Sequence, residues 1–241
     1  MVKIFVASAG RCGTKYLAGI FDALTDIPSF HEPQPYIIND VLEALNNNDN
    51  LQPHEASVIK EKLDLIELHS KSGNYFESNQ QFIKAYVRHV LGRFNDVSCI
   101  YLYRNPLDSL ISYAEKCRHF ESDWFLKPEW RHNILRCQPG LSFYEMVLWQ
   151  WYEVRARYYR WKPYFRKTYE LDFKNLSNPD EIKRMFRTLG VDYSPFGELP
   201  EVDTNAVVAL ALRPLEGMVR RIQRNWGKPG TWLWTWDAKE R

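Results

Sequence analysis

The sequence predicts an α/β fold: a single domain over residues 1–241, built on a central parallel β-sheet flanked by helices. Three observations point there. The chain opens with an apolar strand that runs into a glycine-containing loop and then an amphipathic helix. A second apolar, β-prone stretch, Val97–Tyr103, runs straight into a helix start. Strand-like and helix-like segments go on alternating, the pattern of βαβ units with a sheet covered on both faces.

In order, Lys3–Ala7 is the first strand, and Leu17, Ile20, Phe21 and Leu24 form the apolar stripe of the helix after it. Residues 36–69 are mainly helical, interrupted by a polar loop at Asn46–Asn50. Asn74–Asn79 is a short strand with a polar end, and a helix follows through Phe82–Leu91. After Val97–Tyr103, Asn105 offers an N-cap, Pro106 the first helical position and Asp108 a capping-box-like partner. Residues 119–140, with Pro128 and Pro139-Gly140, form an irregular excursion. Leu141–Trp161 is helical and aromatic, and Thr168–Phe173 is a strand. Asn178-Pro179-Asp180-Glu181 starts a last helix that Gly190 stops.

With 241 residues, 45% hydrophobic and 26% charged, the chain can bury a substantial core and is no disordered polymer. A formal net charge of +2 is too small for bulk nucleic-acid binding, so any anion site has to be local. The four cysteines, Cys12, Cys99, Cys117 and Cys137, form no C-x-x-C pair and lack metal-like spacing to histidine, which suits reduced thiols and no metal centre. MVKIFVASAG reads as a strand and not as a secretion signal, and no run is long enough to span a membrane. The expected location is the cytoplasm, without a membrane partner. Oligomeric state is not encoded legibly.

The loop Ser8–Lys15 is where chemistry is expected. Backbone N–H groups converge between a first strand and a first helix, the helix dipole favours an anion, and Arg11 and Lys15 flank Gly13 with positive charge. Arg11-Cys12-Gly13-Thr14-Lys15 resembles the 5′-phosphosulfate loop of the sulfotransferase superfamily, [KR]-[ST]-G-[TS]-[TS], with Cys12 and Lys15 departing from it. Cys99–Tyr113 resembles the same family's 3′-phosphate element, a strand followed by R-[ND]-P-x(5)-S-Y, with Arg104 at the strand end and Ser112 in the helix. The segment from Lys167 to Phe173 is similar to the family's Y-E-D-L segment, with Tyr169 as an adenine contact. Arg224–Trp232 is similar to its basic C-terminal loop, where Arg220, Arg221, Arg224 and Lys228 are the cations.

The resemblance implies a P-loop-like sulfotransferase fold. It implies transfer of a sulfuryl group from 3′-phosphoadenosine 5′-phosphosulfate to an acceptor hydroxyl, on a small molecule or carbohydrate, by in-line displacement and without a metal. Arg11 is then the stabiliser of charge on the transferring group. Glu32, in His31-Glu32-Pro33, is the first candidate for general base, as in relatives that carry an acidic residue there. His31 is the second candidate, and Glu77 and His54 follow. Two rivals remain: a P-loop kinase and a non-catalytic nucleotide-binding module. The kinase requires G-x-x-x-x-G-K-[ST], but no glycine stands five residues before Gly13, and Lys15 follows Thr14 rather than the glycine.

Overall fold

The computed structural model describes residues 2–71, 73–116, 126–136 and 140–194. Five strands form one sheet: β1 (Val2–Ala7), β2 (Ser29–His31), β3 (Asn74–Ser78), β4 (Val97–Tyr103) and β5 (Thr168–Asp172). All neighbours pair in parallel, in the order β2-β3-β1-β4-β5. Seven α-helices lie among the described residues: α1 (Thr14–Leu24), α2 (Asn39–Asn47), α3 (Pro53–His69), α4 (Val87–Arg93), α5 (Pro106–Lys116), α6 (Phe143–Trp161) and α7 (Pro179–Leu189).

Parallel strands require both faces to be covered, and the alternation along β1 shows the result. Phe5 and Ala7 belong to the core cluster that also holds buried residues of α2, α3, α4, α5 and α6. Ile4 and Val6 belong to a second cluster with Leu17, Ile20 and Phe21 of α1 and Ile182, Met185 and Phe186 of α7. The apolar stripe expected for α1 is therefore buried, and Asn178 caps α7, its side chain accepting from the Asp180 and Glu181 N–H groups.

Chain order and space order part company at β1. The chain leaves β1 towards β2 and β3 on one side and later towards β4 and β5 on the other. The loop after β1 thus sits where the connections diverge, the place at which open α/β sheets leave a crevice beyond their strand ends.

Two local expectations change, and one strand is added. Ser29–His31, left without an assignment, is an edge strand pairing with Phe76–Ser78; three residues are too few to show a two-residue period. The polar stretch begins later than expected: Asn46 lies in the last turn of α2, buried, donating to the Leu42 carbonyl oxygen at 2.8 Å. The helix over 82–91 is two pieces, a π-helical turn at Phe82–Tyr86 and then α4. Such turns widen the backbone locally and concentrate at functional sites.

Beneath the sheet end, Glu77 of β3 is fully buried and fully engaged. It accepts from the Tyr75 hydroxyl (2.6 Å), the Tyr86 hydroxyl (2.6 Å) and Asn79 Nδ2 (3.0 Å), and it pairs with the equally buried Lys62 Nζ of α3 at 2.9 Å. Burial first, and this carboxylate next, push the Tyr75 and Tyr86 hydroxyls well above the ordinary tyrosine range. Removing one member of a buried pair strands the other's charge. Lys62→Met is expected to lower stability by about 3 kcal/mol, read as a reduced urea midpoint with an unchanged slope.

Candidate functional site

The turn after β1 is shaped by three residues with positive φ: Gly10 (95°), Arg11 (54°) and Gly13 (81°). A Cβ on Gly10 would lie 2.2 Å from the Tyr113 hydroxyl and 2.6 Å from Gln80 Oε1. One on Gly13 would lie 2.6 Å from Leu176 Cδ1. At both positions, therefore, space and conformation exclude a side chain. Arg11 holds the left-handed conformation without being glycine, a strain of the kind that accumulates at binding sites.

Three side chains from three elements fix the Ala9 carbonyl oxygen behind this turn. Tyr113 of α5 donates its hydroxyl at 2.7 Å, Gln150 of α6 its Nε2 at 3.1 Å, and Lys84 of the π-helical turn its ammonium at 3.4 Å. Gly13 then caps α1 without any side-chain hydrogen bond, and no acidic residue stands in the helix's first turn. The first N–H groups of an α-helix lack intrahelical partners, and their positive end favours an anion.

The two segments singled out in the sequence meet here. Arg11 Nε donates to the Ser112 hydroxyl of α5 at 3.4 Å. Arg104, at the carboxyl end of β4, lays its guanidinium 4.5 Å from the centre of the Phe173 ring, and its backbone oxygen accepts from Trp151 Nε1 at 2.8 Å. Its Nε is buried without a hydrogen-bond partner. That absence holds among the described residues, and a buried guanidinium nitrogen normally has a partner. Arg104 opens into a cleft of about 490 Å³ whose lining includes Tyr103, Trp151, Arg155, Phe173 and Lys174. The lining sets these three cations against the carboxylates of Asp108, Glu170 and Asp172, with Lys174 Nζ 3.3 Å from Asp172, and adds several aromatic faces.

The remaining predicted residues fall as follows. Cys12 is buried, its thiol donating to the Gly10 carbonyl oxygen at 3.0 Å. Burial raises its pKa, while hydrogen bonds from Ser8 and Ser109 and the charges of Arg104 and Lys84 act against the rise. Thr14 begins α1 and Lys15 is exposed on its first turn. Tyr169 lies on β5, donating to Glu181 Oε1 at 2.6 Å; burial and that carboxylate push its hydroxyl up to about 12. His54 is exposed at the start of α3, 3.8 Å from Asp40. Arg220, Arg221, Arg224 and Lys228 lie outside the described residues.

His31 and Glu32 stand at the end of the edge strand. Glu32 has φ of 46°, and its N–H donates to the Ser78 carbonyl oxygen at 3.0 Å. His31 Nδ1 lies 2.9 Å from the Ser78 hydroxyl and 3.2 Å from the Ser78 carbonyl oxygen. With Nδ1–H directed at that carbonyl, Nε2 carries the lone pair. Desolvation lowers the His31 pKa; Glu32 and the bond to Ser78 oppose the shift, and Lys15 adds to it. The charge of Glu32 also raises the proton affinity of Lys84.

Sequence reasoning missed Lys84, Gln80, Gln150 and Arg155. Two signals were available: Gln80 and Lys84 are spaced i, i+4, and Lys84 interrupts an otherwise apolar run from Phe82 to Val87.

The class is therefore a parallel α/β protein with a glycine-containing strand-to-helix turn at the divergence of its strand order. The sequence matches no family model. It also matches none of the curated proteins. Among solved structures it is similar to a sulfotransferase from Alicyclobacillus acidocaldarius, with a TM-score of 0.53 and 13% identity over 96% of this chain and 98% of that one. It is likewise similar to the sulfotransferase domain of the olefin synthase from Synechococcus PCC 7002, with a TM-score of 0.50 and 12% identity over 88% of this chain and 82% of that one. The chain has the sulfotransferase fold. Among the described residues, no helix is long and apolar enough to cross a membrane.

Because Gly10 has no room for a side chain, Gly10→Ala is expected to cost about 1–3 kcal/mol of stability from backbone strain alone, measured by thermal unfolding. It should also remove any protection that sulfate gives the wild-type protein.

Proposed function

We propose that the protein is a sulfotransferase that takes 3′-phosphoadenosine 5′-phosphosulfate as donor and an acceptor hydroxyl, on a small molecule or carbohydrate, as the second substrate. The observation that carries this is the convergence of two anion elements. Arg11 of the β1 loop donates to Ser112, and Arg104, with a buried unpartnered Nε, opens into the adjoining cleft. A nucleotide bearing phosphate groups at both its 5′ and 3′ ends needs two such sites, and a mononucleotide needs one. The fold shared with the two sulfotransferase structures agrees with this choice.

The residues present fit the donor. The β1 loop, Gly13–Lys15 and Arg11 would hold the phosphosulfate end; Arg104 and Ser112 would hold the 3′-phosphate, with Arg155 and Lys174 at the same mouth. Phe173 and Tyr169 offer aromatic surface on the β5 side. When bound, the donor supplies the sulfuryl group and a phosphate leaving group. Arg11 stabilises charge at that end by a guanidinium already oriented through Ser112, so little reorganisation is left for the reaction itself. Glu32 takes the acceptor proton, with the neutral His31 next to it as the second candidate. Glu77, bound by four donors, has no free lone pair directed at solvent and serves the core. His54 is occupied with Asp40 on the outer surface.

Two experiments test this. By calorimetry, adenosine 3′,5′-bisphosphate should bind much more tightly than AMP, and Arg104→Ala should weaken it by about tenfold to a hundredfold. Equal affinity for the two nucleotides, or protection from unfolding by ATP alone, would exclude the donor assignment.

In turnover, Arg11→Ala should lower kcat by about 10²–10³-fold. Glu32→Gln should lower kcat by about 10²–10⁴-fold with donor affinity unchanged. Retained turnover in Glu32→Gln with loss in His31→Asn moves the base to the histidine.

A further inference from the structure

Among the described residues two lysines are almost wholly buried, and they are not alike. Lys62 meets Glu77 at 2.9 Å and is a conventional buried ion pair. Lys84, 0% exposed in the π-helical turn, has for acceptors the Ala9 carbonyl oxygen at 3.4 Å and Gln80 Oε1 at 3.2 Å. Among the described residues, no carboxylate forms an ion pair with it. A buried ammonium without a counter-ion is costly, and a chain that keeps one has a use for it or an external partner for it.

Position indicates which. Ala9 is the residue before the first glycine of the anion loop, and its carbonyl is the one that Lys84, Tyr113 and Gln150 share. Gln80, the other acceptor of Lys84, presses on Gly10 so closely that a Cβ there would lie 2.6 Å from it. The amine is thus separated from the loop only by the loop's own backbone. We infer that Lys84 is a positioning residue for the anion loop: sealed beneath it, the amine takes up a proton from solvent when an oxyanion enters, and supplies the counter-charge from the buried side.

The inference rests on the loop binding an anion, as argued above. Desolvation lowers the Lys84 pKa to about 7, the charges of Glu32 and Cys12 pull it up, and Arg157 of α6 pushes it further down. The other groups facing it, Tyr113, Gln150 and Gln80, are hydrogen-bonding partners of the same carbonyl or of the amine itself. Near pH 7 the empty protein is then a mixture of amine and ammonium. An anion above the loop stabilises the ammonium, so its pKa rises on binding, and by reciprocity the proton strengthens the anion's affinity. Affinity should be greatest below about pH 7, where the amine is already charged, and should fall by up to about tenfold per pH unit above it until the pKa of the bound state is reached.

The test is calorimetric titration of the full chain with adenosine 3′,5′-bisphosphate at pH 8, in Tris and in Hepes, whose different ionisation enthalpies reveal protons taken up. At that pH the phosphates are fully ionised, so uptake belongs to the protein. Wild type should take up close to one proton per ligand, and Lys84→Met none, with affinity about tenfold to a hundredfold weaker at pH 6.5 and no longer dependent on pH between 7 and 9. Lys84→Arg, charged throughout, should bind without uptake. Tight bisphosphate binding by the wild type without proton uptake, or uptake that persists in Lys84→Met, overturns the inference and leaves the donor assignment standing. If the bisphosphate does not bind, the same titration with inorganic sulfate decides. Uptake with sulfate supports Lys84 while the donor assignment falls; sulfate binding without uptake, or no sulfate binding, rules Lys84 out.

Discussion

The site depends on one backbone carbonyl. A loop meant to receive an anion has to turn its N–H groups outward, and a carbonyl exposed among them would repel the ligand. Here the Ala9 oxygen is turned inward and held by donors from the π-helical turn, α5 and α6. Those elements come from distant parts of the chain, so the loop's conformation is not a property of its own short sequence. It becomes fixed only when the helices on one face of the sheet have packed. The absence of a Cβ at Gly10 is the complementary condition, because the Tyr113 hydroxyl and Gln80 occupy the space a side chain would need.

The layer under the loop carries more charge than a core normally tolerates. Glu77 and Lys62 pair beneath β3, and Arg157 pairs with Glu153 at 2.7 Å within α6 while its Nη2 donates to Asn46 Oδ1 and Asn133 Oδ1, each at 2.8 Å. Glu153 in turn accepts from the Ile134 and Leu135 N–H groups, tying the 126–136 segment to α6. Each of these charges meets its opposite within ion-pair distance, and Lys84 does not, although Glu32 acts on it from further off. This contrast sets Lys84 apart from the charges that hold the fold, and burial alone would not have separated them.

The strand pattern, the caps at Asn105 and Asn178 and the stop at Gly190 were legible because each depends on a few neighbouring residues with strong local preferences. The β1 turn was legible as a strand-to-helix turn because glycine permits the positive φ it needs, and the end of β4 because Asn105-Pro106 starts a helix. What escaped was non-local. β2 is a strand because Phe76–Ser78 lies beside it, and Ser29–His31 carries too little pattern to say so. Glu77 looked like a possible base because sequence shows a carboxylate but not the four donors around it. Lys84 drew no notice within the helix expected over Phe82–Leu91, because a π-helical turn has no sequence signature of its own.

The two positions at which the loop departs from the sulfotransferase loop pattern it resembles have a common physical explanation. Where that pattern carries small hydroxyl residues, this chain carries Cys12 and Lys15, and their side chains leave the loop in opposite directions. The Cys12 thiol turns into the core against the Gly10 carbonyl oxygen, in a space where burial keeps it protonated. Lys15 points out to solvent on the first turn of α1. Neither alters the backbone turn set by Gly10, Arg11 and Gly13, and neither fills the space above it. The substitutions therefore exchange two hydroxyl donors for one cation at the rim, and a second cation, Lys84, stands below. Positive charge delivered from rim and underside suits a ligand whose negative charge is fixed, whereas hydroxyls adapt to ligands of either kind. On this account the cradle is the backbone, and the side chains at 12 and 15 set only how strongly charge is weighted in what it accepts.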